Sequence, residues 1–286
     1  MSECDILSLK MGDPNSIPRR AFLGALALPA FADSRADEKA AGFRLGAATF
    51  SLKNFSRARA IEMLQLCKVE AVSVKEAHAK IKDDRAEWAK ARKEFESAGL
   101  RIVSVGKIDF AVDSDEDVER NFQYAQALGA AGIVMAPKLA VLPRIERFVK
   151  QYNIKAFIHC HGPEDKVFPT PESVLRAVKG MDARMGLCLD SGHTLRAGVD
   201  LIAAMKQAGP RLLDFHIKDL RDLKNRGTSC QVGDGAVPVS AIFSTLKQMG
   251  YRGDVNLEYE VLADNPLPGM LGSFAYMRGA LAGMNV

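Results

Sequence analysis

The sequence has little from which a disulfide framework, a zinc knuckle or a membrane anchor could be built. Its five cysteines (Cys4, Cys67, Cys160, Cys188 and Cys230) are scattered without a CxxC pair, and read as small apolar fillers. No apolar run approaches the roughly 20 residues that span a bilayer, so no stable membrane insertion is expected. The net charge is only +4 at pH 7, whereas a nucleic-acid partner normally calls for a strong basic face or tail. Beyond residue 43 no linker rich in Pro, Gly or Ser interrupts the chain. No Gly-rich phosphate loop follows the first strand-like run, which weighs against an open dinucleotide-binding sheet. What is present, 48% hydrophobic and 26% charged residues, is an ordinary globular composition with enough apolar matter for one large core.

The N-terminus reads as an address. Arg19-Arg20-Ala21-Phe22-Leu23 precedes the weakly apolar run Gly24-Ala25-Leu26-Ala27-Leu28-Pro29, and Ala30-Phe31-Ala32 offers small residues for cleavage. Residues 1–32 therefore resemble a twin-arginine export signal, although Pro18 stands where Ser or Thr is usual. The expectation is a periplasmic or secreted protein with residues 33–42 as a linker. The remaining chain is close to the roughly 250 residues typical of a (β/α)8 barrel.

From Phe43 onward, short apolar runs alternate with segments of helical period. The runs are Phe43–Ala48, Ala71–Val74, Arg101–Gly106, Ile133–Ala136, Lys155–His159, Met185–Leu189, Leu212–Ile217 and Val255–Glu258. Between them lie Ala58–Cys67, Asp84–Ala98, Asp115–Leu128, Val141–Tyr152, Pro171–Val178, Val199–Gln207 and Val239–Met249, with Pro268–Ala282 last. Ser114 or Asp115 suits a helix start, and Gly99, Gly129 and Gly250 suit helix stops. Short strands separated by single helices pair in parallel, because each crossover needs a dozen or more residues. Eight such units predict an α/β fold: a single-domain (β/α)8 TIM barrel over residues 43–286.

In such a barrel the chemistry sits at the C-terminal strand ends, and all five histidines fall there. His78 follows the second strand, His159 and His161 end the fifth, His193 follows the sixth and His216 ends the seventh. Asp190 closes the sixth strand, and Glu258 and Glu260 close the eighth. Alternation puts His159 with His161, and Glu258 with Glu260, on common faces. Two imidazoles and two carboxylates suit one divalent Mn, Zn, Co or Fe ion better than Ca. Lys75, Lys107, Lys138 and Lys218 also fall just past strands, and together predict a positive mouth for an anionic substrate. Beside a cation, Lys218 is expected to have a lowered pKa suited to proton transfer.

Ile158-His159-Cys160-His161-Gly162-Pro163-Glu164-Asp165, Asp190-Ser191-Gly192-His193, His216-Ile217-Lys218-Asp219, Val232-Gly233-Asp234-Gly235 and Glu258-Tyr259-Glu260 together resemble the xylose-isomerase-like barrel family of sugar phosphate isomerases and epimerases. The resemblance covers the chain from about Phe43 to its C-terminus. It implies that a Glu, an Asp, a His and a second Glu bind one divalent metal. The matching positions are His159 in place of the first Glu, then Asp190, His216 and Glu258. His159 is a departure: it removes a negative charge, favours softer metals such as Zn or Fe, and puts a two-glutamate proton shuttle in doubt.

The expected activity is isomerisation or epimerisation of a sugar, sugar phosphate or sugar acid through an enediolate. Glu258, Lys218 and His193 are the catalytic candidates, and Lys75, His78, Lys107, Lys138, His161 and Glu260 the substrate-binding ones. Three alternatives stand beside it: a keto-sugar dehydratase or lyase, a non-catalytic sugar-binding protein that retains its metal, and a hydrolase like the abasic-site endonucleases. Substrate identity and oligomeric state are open, and association of identical copies is compatible with the sequence.

Overall fold

The protein is described here from a computed structural model, over residues 34–284. Residues 1–32, the segment read as an export signal, lie outside the described residues. Eight parallel strands close into a barrel: β1 (Arg44–Ala48), β2 (Ala71–Val74), β3 (Arg101–Ile108), β4 (Gly132–Met135), β5 (Lys155–His159), β6 (Met185–Asp190), β7 (Leu212–Ile217) and β10 (Asp254–Leu257). Each strand pairs with its sequence neighbour in the barrel, and β10 closes it against β1. All eight runs read from the sequence are strands.

The helices α2 (Arg57–Leu66), α3 (Arg85–Ser97), α4 (Asp115–Ala127), α5 (Leu142–Tyr152), α6 (Pro171–Ala177), α8 (Leu201–Ala208), α9 (Val239–Gln248) and α10 (Leu267–Gly283) lie where the periodicity puts them, within two residues at each end. Their starts have local causes. Ser56, Asp84, Ser114, Thr170 and Asp200 each accept a hydrogen bond from a backbone N–H in the first turn that has no partner within the helix.

Three elements escape the sequence pattern. Within the stretch read as a linker, Ser34–Ala41 forms helix α1, and Glu38 on it accepts a hydrogen bond from the Leu45 N–H of β1 at 3.2 Å. Asp190-Ser191-Gly192-His193 opens a short helix, α7 (Ser191–Arg196). The segment after β7 holds a two-stranded antiparallel ribbon, β8 (Asp219–Leu220) with β9 (Ser229–Cys230).

The main apolar core lies between the strands and the helix ring, while the barrel interior has its own small packing centre of Val134, Phe157 and Cys188. Gly132 makes this centre geometrically feasible, because a Cβ there would stand 2.1 Å from Phe157 Cζ. Above and beside Phe157 the interior is polar. Ser104 Oγ donates to Ser73 Oγ at 2.8 Å, and Asn256 Nδ2 donates to Asp214 Oδ1 at 2.9 Å. Phe157 is the largest side chain of that small cluster. Phe157→Ala is expected to lower unfolding free energy by about 3–5 kcal/mol in urea denaturation. A loss under about 1 kcal/mol would show that the interior collapses onto the gap.

Candidate metal centre

Period-two geometry on four adjacent strands brings the chemistry together. On β7, Asp214 and His216 face the barrel axis, and Lys218 continues the row beyond the strand. The pairing register sets Asp190 level with His216, and Asn256 of β10 level with His216 on the other side. Glu258 lies one residue beyond β10, anchored by its N–H to the Ile217 carbonyl at 2.9 Å.

The donor atoms of His159, Asp190, His216 and Glu258 lie within 4.8 Å of one another, and all four residues are buried. His159 Nε2 stands 3.2 Å from His216 Nδ1 and 3.8 Å from Asp190 Oδ2, and His216 Nδ1 is 3.1 Å from Glu258 Oε2. These are the four residues that the family resemblance matched to metal ligands. The only other group of three or more donors among the described residues, His159 with Cys188 and His216, shares both histidines and is no separate site.

The donor chemistry fits a divalent ion. Asp190 divides its carboxylate: Oδ1 caps α7 by accepting the His193 N–H at 2.8 Å, while Oδ2, fully buried, accepts no hydrogen bond. A buried acceptor left without a donor is costly unless a cation faces it. Burial, reinforced by His216 and His161, holds the His159 imidazole well below its ordinary pKa, so its lone pair is free to coordinate. Burial and Lys75 push His216 downward, but Glu258 and Asp214 outweigh them and carry it up to about 9. The same negative field that retains a proton there would attract a metal cation. His216 Nε2, on the far side of the ring, faces Asp214 Oδ2 at 3.6 Å, as an outer carboxylate does behind a metal-binding imidazole.

Lys218 is caged by carboxylates. Its ammonium is 2.9 Å from Glu260 Oε2, 3.3 Å from Asp190 Oδ2 and 3.4 Å from Glu258 Oε2. Burial pushes its pKa down, but the three carboxylates more than reverse this and raise it above the ordinary lysine value. Without a metal ion in the site, Lys218 is therefore held as a fixed cation; the lowered pKa expected of it belongs to the metal-loaded site. In metal-free protein, Lys218→Met leaves these carboxylates uncompensated and should cost about 3–5 kcal/mol of stability in urea. Saturating zinc should shrink the deficit, since the ion takes over neutralisation of Asp190 and Glu258. Equal deficits with and without zinc would show that Lys218 and the ion do not share these charges.

The other candidates divide. His161 packs its ring 4.3 Å from that of His159, and His193 lies 5.4 Å from His161 and 5.7 Å from His159, forming one wall of the centre. Burial, with His193 and Lys107 beside it, lowers the His161 pKa to about 4, so the ring is neutral at pH 7. Glu260 reaches the centre through Lys218. Lys75 is buried, and its charge acts on both His216 and Glu258, but its ammonium makes no hydrogen bond or ion pair among the described residues.

His78 is not at this wall. Its Nε2 donates to the Leu52 carbonyl at 3.1 Å and its own carbonyl accepts from Arg57, so it braces the turn after β1. Lys107 pairs with Asp109, and Lys138 is exposed at the start of the turn after β4. Lys107 and Lys218 thus have carboxylate partners of their own.

Two sequence motifs owe their pattern to a single carboxylate. Asp219 accepts backbone N–H bonds from Gly233 at 2.9 Å, Gly235 at 3.1 Å and Val237 at 3.0 Å, which ties the Val232–Gly235 loop to the end of β7. A Cβ at Gly235 would lie 2.2 Å from Asp219 Oδ1. Arg196, Glu164 and Asp214 surround the centre without having been singled out from the sequence. Asp214 was legible in principle, two residues before His216 on one strand face. Arg196 was not, because α7 read as a turn.

Residues 59–278 match the xylose isomerase-like TIM barrel family. The chain belongs to this family. Among curated relatives, an inosose dehydratase of Geobacillus kaustophilus is 27% identical over an alignment of 135 positions that covers 42% of this chain and 43% of that protein. The chain spans about a third to two-fifths of the length of the curated relatives it matches. Two solved structures share the fold at low identity. The 3-keto-D-glucoside 4-epimerase of E. coli is 15% identical with a TM-score of 0.69, covering 83% of this chain and 99% of that one. The IOLI protein, solved with a zinc atom, is 16% identical with a TM-score of 0.70, covering 84% and 99%.

Proposed function

We propose that this protein is a divalent-metal-dependent enzyme that epimerises or isomerises a carbohydrate at the carbon beside its carbonyl, through an enediolate. The buried convergence of His159, Asp190, His216 and Glu258 at the barrel mouth carries this reading. An ion held by those four would supply Lewis acidity, lowering the pKa of the carbon acid between adjacent substrate oxygens. Burial raises the Glu258 carboxyl, but Lys218 and His216 prevail and hold it well below the ordinary carboxylate range. Glu258 is therefore ionised near neutral pH and placed to take a proton from carbon. Lys75, buried and without an ion pair among the described residues, would hold a substrate oxygen, and His161 and His193 line the approach. The substrate class is a polyhydroxylated ketone or aldehyde. The test is incubation of the zinc- or manganese-loaded protein with sugars and keto-sugars in deuterated water. Deuterium at the carbon beside the carbonyl of an epimer or isomer supports the reading; turnover without exchange removes it.

A second reading is elimination from a keto-sugar, as in a dehydratase or lyase. It is favoured by His159 standing where the family places a carboxylate: its Nδ1 is buried and unpartnered, leaving Glu258 as the one ligand suited to shuttle protons. The inosose dehydratase relative accords with it. The same experiment separates the two, since elimination yields an unsaturated product and no epimer.

We further propose that residues 1–32 export the chain by the twin-arginine route. Replacement of Arg19 and Arg20 by Lys should shift the protein from the periplasmic to the cytoplasmic fraction. An unchanged distribution would remove the export reading.

A further inference from the structure

His193 is more tightly defined than a wall residue needs to be. Its N–H caps onto Asp190, and its backbone carbonyl lies where a Cβ on Gly162 would stand 3.0 Å away, so the loop after β5 is pressed against it. Gly162 has φ of +80°, which lets the chain turn there without a side chain. Three residues on, along the same face of α7, lies the buried Arg196. Its Nη1 is 3.1 Å from His193 Nδ1, and its Nη2 bonds Glu164 Oε1 on the loop after β5.

A guanidinium has five N–H donors and no acceptor. Nδ1 of His193 must therefore be the acceptor in this contact. The ring proton of the neutral imidazole then resides on Nε2, since one ring nitrogen donates while the other accepts. A second proton on Nδ1 would set two N–H groups, both cationic, against each other. Glu164 fixes the guanidinium from the other side, so the arrangement Glu164–Arg196–His193 has one consistent set of donors and acceptors.

We propose that Arg196 is a positioning residue that holds His193 as its Nε2–H tautomer, so that His193 offers a hydrogen-bond donor, and no proton acceptor, to a substrate oxygen at the barrel mouth. A donor aimed at oxygen stabilises negative charge developing there. It also means that His193 takes no proton from carbon, which leaves that role to Glu258. The substrate oxygen and the role left to Glu258 rest on the function proposed above; the tautomer itself follows from the contact geometry.

The chain has five histidines, few enough to resolve individually by 15N NMR of the full, zinc-loaded protein labelled in histidine. His193 is assigned by the resonance that disappears in His193→Asn. The expected result near neutral pH is an unprotonated Nδ1 and a protonated Nε2 in the wild type. A protonated Nδ1, whether in the other tautomer or in a charged ring, would overturn the proposal. Arg196→Met should release the ring into mixed tautomers and lower kcat by about 10- to 100-fold with zinc content unchanged. Arg196→Lys, which keeps an N–H donor, should restore the Nε2–H form. If the Met variant does not fold, the wild-type and Lys spectra still decide. Should the wild-type protein turn over no carbohydrate, the functional reading fails while the tautomer result stands. A wrong tautomer with turnover intact sinks this inference alone.

Discussion

Asp190→Ala and His216→Ala should each lose the divalent ion and essentially all turnover, while the wild-type protein should carry about one ion per chain. The expectation follows from how little else can satisfy these groups. Asp190 Oδ2 has no exposure and no hydrogen-bond donor, and its cationic neighbour Lys218 is shared with Glu258 and Glu260. His216 is enclosed by Glu258 on one side of its ring and Asp214 on the other. Losing an outer-shell partner of a metal ligand lowers affinity by about 10- to 100-fold, so losing a ligand itself should cost more than about 100-fold. Competition with a chromogenic chelator measures the affinity, and elemental analysis after dialysis measures the content. Wild-type protein that returns from dialysis without metal and rebinds none would sink the metal centre. About three zinc ions per chain would point to the hydrolase alternative, against the single centre found among the described residues.

Glu258→Gln should reduce turnover by about 10²- to 10⁴-fold, the usual span for removing a general base, with metal content largely kept. Glutamine retains an oxygen able to coordinate and preserves the shape of the site. It cannot accept the proton that Glu258, held ionised by Lys218 and His216, would take from carbon. Deuterium exchange should fall in parallel with product formation. If exchange persists at the wild-type rate, the base lies elsewhere, and His161 would be the first residue to examine. A wild-type protein that binds sugars without turning over any would instead establish the non-catalytic binding alternative.

Much of this site was legible because barrel strands impose simple rules. A period of two and parallel pairing put residues at corresponding strand ends on a common mouth, and His159, Asp190, His216 and Glu258 occupy four such ends. The failures concern contacts made by long side chains and short connections. Lys218 looked like a candidate for a lowered pKa because the adjacent cation site was foreseen; the carboxylate cage of Asp190, Glu258 and Glu260 was not. His78 sits just past a strand like the others, yet its ring turns to the Leu52 carbonyl. Nothing in the order of residues distinguishes these two orientations. The six-residue α7 is too short for periodicity to register, and its cap, Asp190, was already assigned to the metal.

The sequence by itself determined the eight strands and the barrel, because each depends on local period, and the family resemblance named the four residues that converge. Only the tertiary structure decided which charges neutralise one another, which histidine supports the backbone, and which ring nitrogen Arg196 leaves free to donate. Those outcomes depend on distances between residues remote in the chain. Electrostatic and hydrogen-bond energies change sharply within an ångström or two, a precision that spacing along a sequence does not carry.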